Sequence, residues 1–219
     1  MHSQSKLRQA TRLTLLLLAV STAGCQMFLS TVGLMSGGNM ADAAYDGLEG
    51  QRVAIVCLSD SSSYGSGTES SLLASSVATL LAENVAEIEV VSASEVADWV
   101  DRKGWDQIDY RQVGQGVKAD RVVAIDVEGF RLHQDPTLYK GEASLTVTVF
   151  DMQNPRNHVF RRSLPELSYP RTGVVHASDV SESKFRRQFI KILSEQVARY
   201  FYKYDALARS ALDGAFVLE

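Results

Sequence analysis

Residues 119–130 read ADRVVAIDVEGF and residues 141–152 read GEASLTVTVFDM, and the fold turns on how these two stretches alternate. In the second, Ala143, Leu145, Val147 and Val149 recur at every other position, with Ser144, Thr146 and Thr148 between them. A period of two marks a strand with one apolar and one wet face. In the first, Val123, Ile125 and Val127 share one face, while Asp126 and Glu128 take the other. The residues between them, 133–140, then predict an antiparallel hairpin with a wet outer face. The turn Asn154-Pro155-Arg156-Asn157 leads to a third strand of the meander, His158–Leu164. Residues 165–180 carry Pro165 and Pro170 and no period, which predicts a surface connection.

Upstream, residues 52–58 (RVAIVCL) form a continuous β-branched run, the pattern of a strand covered on both faces. A polar loop, 60–68, leads to Leu73, Val77, Leu80 and Leu81 at helical spacing, with Ser66 and Glu69 placed as a capping box. Ile88–Val91 predicts a short second strand. Ser92 and Glu95 repeat the box, with Val91 and Val96 as its apolar staple. Val96, Trp99 and Val100 then predict a buried stripe that Gly104 ends. Asp109 and Gln112, flanked by Ile108 and Val113, open a third helix that Gly114 and Gly116 weaken. The last helix starts at Asp179 and Glu182, buries Phe185, Phe189, Ile192, Leu193, Val197, Tyr200 and Phe201, and ends near Tyr204. The order β-α-β-α-α-β-β-β-α predicts an α/β (α+β) fold. A mixed sheet of about five strands packs against three to four helices, and its other face is partly polar.

The start of the chain is of a different kind. Lys6, Arg8 and Arg12 precede the apolar block Leu15–Val20, and Ser21-Thr22-Ala23-Gly24 lead to Cys25. The block is shorter than the ~20 residues a membrane-spanning helix needs. A basic start, a short apolar core and small residues read as an export signal. The resulting division is a signal over residues 1–24, a tether over 25–50, one α/β domain over 51–204 and a C-terminal extension over 205–219. The formal net charge of the 219 residues is −4; removing three of the 22 basic residues with the signal leaves −7 against 26 acidic ones. A field of that sign disfavours nucleic acid as a partner. Of the two cysteines, Cys57 sits in an apolar run and reads as a small buried hydrophobe.

Ala23-Gly24-Cys25 resembles the lipobox of bacterial lipoproteins, with Thr22 where leucine is commoner. That resemblance implies cleavage before Cys25 and acylation of its sulfur, so that the membrane is the first partner. More than one acyl chain makes a stable anchor. Gln26 at the next position favours the outer membrane, facing the periplasm, by the same resemblance. The domain itself resembles the amino-terminal domain of TolB, the curli lipoprotein CsgG and the penicillin-binding-protein activator (LpoB-like) lipoproteins. The residues that carry this are Arg52–Val56 with its Ser/Gly loop, Ala119–Ile125 and Ala143–Asp151. The resemblance implies non-enzymatic work in the envelope: docking onto, assembling with or regulating another envelope protein, with homo-oligomers left open. The alternative is a glycan- or lipid-binding component of a transport or assembly machine.

No catalytic site, metal site or cofactor is expected. Tyr64-Gly65-Ser66-Gly67-Thr68 lacks the third glycine and the lysine of phosphate-binding loops, and Glu69 would repel an anion. His133, His158 and His176 have no metal-ligand spacing. Asp126 and Glu128 share a strand face, as acids on a solvated sheet surface do. The candidate partner contacts are Arg161, Arg162, Arg186 and Arg187, within a basic concentration that also takes in Arg156, Arg171 and Lys191. Tyr139 and the threonine-rich hairpin face form a second candidate surface, suited to receiving a partner's strand.

Overall fold

The computed structural model describes residues 40–59, 69–103, 109–154 and 156–206. The chain divides into a unit of residues 42–203 and a second unit of the flanking segments 1–41 and 204–219. In the second unit Met40–Ala41 pairs antiparallel with Tyr204–Asp205. The elements of the larger unit are β1 (Arg52–Ser59), α1 (Glu69–Asn84), β2 (Glu89–Val90), α2 (Ala93–Lys103), α3 (Tyr110–Gly116), β3 (Arg121–Asp135), β4 (Leu138–Asp151), β5 (His158–Tyr169), β6 (Val175–His176) and α4 (Glu182–Ala198).

The sheet order is β2-β1-β3-β4-β5, with β6 pairing the start of β4. β1 is parallel to β2 on one side and to β3 on the other, from Val53↔Arg121 to Ser59↔Val127. β3, β4 and β5 form the expected antiparallel meander. The connections from β1 to β2 and from β2 to β3 run in opposite directions along the sheet. Right-handed crossovers in opposite directions put their helices on opposite faces. Accordingly α1 and α4 cover one face, with Val53, Ile55, Val123, Ile125, Leu145 and Val147 beneath Leu73, Val77, Phe185 and Phe189. On the other face Ala54, Val56 and Val122 lie beneath Val96, Val100 and Val113 of α2 and α3. The face expected to be partly polar is thus apolar over its parallel half.

Local signals set most helix starts. Ser92 Oγ accepts from Glu95 N at 3.2 Å, which is one half of the box; the Glu95 carboxylate pairs instead with Arg52, and Val91 and Val96 are both buried as the staple requires. Asp109 caps α3, its carboxylate accepting from Arg111 N at 2.9 Å. The last helix differs: Ser181 is its cap, accepting from Lys184 N, while Asp179 accepts from Ser178 Oγ. It stops at Ala198, short of the expected Tyr204, though Tyr200 and Phe201 still pack on the core.

Three other expectations are corrected. The tether does not run to Gly50, since Leu48 is 0% exposed and Tyr45 packs against Phe160 at 5.4 Å. The hairpin strands extend through most of residues 133–140, so that Asp135 already pairs with Leu138. β5 continues past Pro165 to Tyr169 in place of a surface connection. An edge strand tolerates a residue without an N–H, and the register slips there, Ala143 facing Leu167 and Leu145 facing Leu164. Ser66 of the first capping box, Gly104 and Ile108 lie outside the described residues.

Gly114 and Gly116 are packing devices more than helix breakers. A Cβ on Gly114 would overlap the side chains of Val122 and Met152, and one on Gly116 would overlap the Trp99 indole. Replacing Gly114 with Ala gains about 1 kcal/mol of helix propensity. Overpacking against β-branched Val122 costs typically 1–3 kcal/mol. The net expectation is a destabilised Gly114→Ala protein in urea unfolding; a stabilised one would mean that α3 is not held this close to the sheet.

Candidate functional site

The second face of the sheet changes character along the strands. Beyond α2 and α3, its positions are Leu58 on β1, Asp126 and Glu128 on β3, Ser144 and Thr146 on β4, and Ser163 on β5. Thr148, expected to be wet, is only 5% exposed. Tyr110 stacks on Phe150 at 6.2 Å, and the Arg111 guanidinium lies 4.9 Å from the same ring. The Tyr110 hydroxyl donates to the Asp126 carboxylate. Burial, and next the bond to Asp126, raise the Tyr110 phenol above its ordinary range, so it remains a proton donor. Asp126 is therefore the acceptor of a structural bond, and the paired acids of the sequence separate into one partnered residue and one exposed residue, Glu128. Thr146 and Ser163 bond each other at 3.2 Å across β4 and β5.

The arginines do not form one patch. Arg161 stands opposite Thr148 and Arg162 opposite Val147, so the pleat sends these neighbours to opposite faces. The Arg162 guanidinium lies 5.5 Å from the Phe160 ring. Arg186 is committed to Glu182 and to Glu69, the latter at 3.5 Å. Arg187 is exposed on α4. Tyr139 is 7% exposed, stacked on Phe185 at 5.2 Å and edge-on to His133 at 5.1 Å. It is a core residue, not a contact surface. What the arginines do mark is the rim of β5, where Arg161 and Arg162 flank the last strand of the sheet.

Among the described residues no three His, Cys, Asp or Glu side chains are grouped to hold a metal. His133 Nε2 lies 3.6 Å from Glu182. Ser59, Glu69, Leu73, Val127, Phe130 and Ile190 line a narrow surface crevice too tight to admit a ligand. Cys25 and the Tyr64–Thr68 loop lie outside the described residues.

No family model matches the sequence, and no curated protein does. Solved structures do. Lipoprotein GNA1162 from Neisseria meningitidis is similar at 15% identity and a TM-score of 0.44, over 67% of this chain and 97% of that one. The LpoB C-terminal domain from Salmonella enterica is similar at 12% identity and a TM-score of 0.37, over 54% and 83%. A PelC dodecamer from Paraburkholderia phytofirmans is similar at 14% and 0.40, over 75% and 98%. Bacterial lipoproteins are among the structures it resembles.

Cys57 is the buried thiol of the core. Desolvation, the largest cause, pushes it up from 9.0 to about 12, against a smaller lowering by Ser70. A raised folded-state value means stability that is present below pH 9 and lost as pH rises toward 12. Cys57→Ala should flatten that alkaline loss, by up to about 1.4 kcal/mol per pH unit. Urea unfolding of both proteins between pH 8 and 11 measures it; parallel curves would contradict the desolvated thiol. The buried tyrosines add a loss of the same sign to both proteins and cancel in the difference.

Proposed function

We propose that this protein is a lipid-anchored, non-enzymatic component of the bacterial envelope that works by docking onto another envelope protein. The observation that carries the reading is the opening stretch, in which Lys6, Arg8 and Arg12, an apolar block and Ala23-Gly24-Cys25 stand in the order of a lipoprotein signal. Acylation of Cys25 would hold the chain at the membrane, and Gln26 favours the outer membrane. Residues 26–41 then separate the anchor from the larger unit.

The use of the polar groups supports docking over catalysis. Asp126 accepts from Tyr110, Asp151 holds Arg121 at 2.7 Å, and Asp120 accepts the Arg52 N–H at 2.9 Å. Arg52 in turn pairs with Glu89 and Glu95. These groups tie strands to neighbouring strands and helices. Their energy goes into the fold, while the antiparallel half of the sheet keeps an exposed rim.

Wild-type protein should stay with the membrane through a high-salt wash and incorporate labelled palmitate. Cys25→Ala should appear in the soluble fraction. A Cys25→Ala protein that resists the wash would refute the anchor. A photo-crosslinker scanned over exposed sheet positions in cells should give a discrete adduct with another envelope protein at some of them; no adduct at any would refute docking.

A further inference from the structure

We propose that the outer edge of β5 at Phe160–Leu164 receives an extended segment of a partner protein that carries two consecutive acidic residues. β5 ends the sheet, and its inner edge is satisfied by β4, from Val149↔Phe160 to Leu145↔Leu164. The alternate N–H and C=O groups that point outward have no backbone partner among the described residues; the Arg161 carbonyl accepts from the exposed Arg162 guanidinium at 3.3 Å, a contact that an incoming strand would replace. Such a row is a template for an added strand. The usable length is bounded on both sides. The register slips at Val159, between Phe160 and His158, and again at residues 165–166, where Pro165 has no N–H to offer. Bulges and proline blunt a sheet edge. Here they confine pairing to five regular residues, close to a typical strand length.

Charge selects the occupant. Arg161 projects on one face of the sheet and Arg162 on the other, both exposed. Consecutive residues of an added strand also project to opposite faces. Two neighbouring acids would therefore meet Arg161 on one face and Arg162 on the other in a single register. Val159, 47% exposed at the bulge that ends the slot, offers an apolar contact just outside it. A second copy of this chain fits poorly: antiparallel self-pairing centred on the slot sets Arg162 against Arg162, and like charges directly opposite are destabilising.

This inference rests on the docking reading but is tested apart from it. The probe is the peptide acetyl-Thr-Val-Glu-Glu-Val-Thr-amide, titrated into the ¹⁵N-labelled protein at low salt, beside its Lys-Lys counterpart. Shifts and slowed amide exchange are expected at Phe160–Leu164, with the acidic peptide preferred and the preference reduced by added salt. R161E/R162E, whose two side chains are exposed, should keep the spectrum of the rest of the fold. It should bind the acidic peptide about tenfold more weakly, about 1.4 kcal/mol, and reverse the preference. Shifts on another surface, no shift at millimolar peptide, equal binding of both peptides, or a protein already dimeric through this edge would overturn it. Membrane retention through Cys25 and cellular adducts at other positions would survive such a failure, which separates the two claims.

Discussion

The parallel pairing of β1 with β3 is the constraint on which the structure depends. Seven register pairs run from Val53↔Arg121 to Ser59↔Val127, and their side chains alternate into two apolar layers. A parallel pair has no short turn to hold it, so it persists only when both faces are covered. Val53, Ile55 and Cys57 bury on the α1 and α4 side, and Ala54 and Val56 on the α2 and α3 side. Each fully buried valine or isoleucine is worth about 1.5–3 kcal/mol. Polar ties at the strand starts close the arrangement: Asp120 accepts the Arg52 N–H, and Arg121 pairs with Asp151.

The surface follows from where that covering stops. α2 and α3 reach across the beginning of the second face and no further, with Tyr110 as the last contact, bonded to Asp126. Beyond it the meander is covered, among the described residues, on one side only. Strand, helix and aromatic packing hold the first face shut, through Phe130 on Phe189 and Tyr139 on Phe185. Phe160 and Leu164 tie β5 to that first-face core, while its outer edge carries one exposed arginine on each side.

Periodic stretches were legible in the sequence, and the tertiary pairings were not. The alternation of 143–149 and the apolar run of 52–58 correspond to β4 and β1, and the box around Ser92 to the start of α2. Other features depend on partners far along the chain. Leu48 lies in a stretch without period, and only the packed core shows that it belongs there. Asp126 reads as a wet strand residue until Tyr110, sixteen positions earlier, is brought over it. Proline at 165 suggests a loop because nothing local says that β5 is an edge. Ser181 outcompetes Asp179 as a cap by two residues, a margin within which both side chains are good caps. The division of Arg161 from Arg162 was readable, since neighbours on a strand always face apart.

The decisive comparison is hydrogen exchange on the full-length protein in the bacterial cells that produce it against exchange on the purified chain. A body rigid in its parallel half, if it works by contact at its open edge as proposed, sets the outcome. The prediction is slow exchange for residues 53–57 and 121–127 in both preparations, with added protection in the cells confined to residues 160–164. Identical exchange at those five residues in the two preparations, or new protection on α1 or α4 alone, would contradict it.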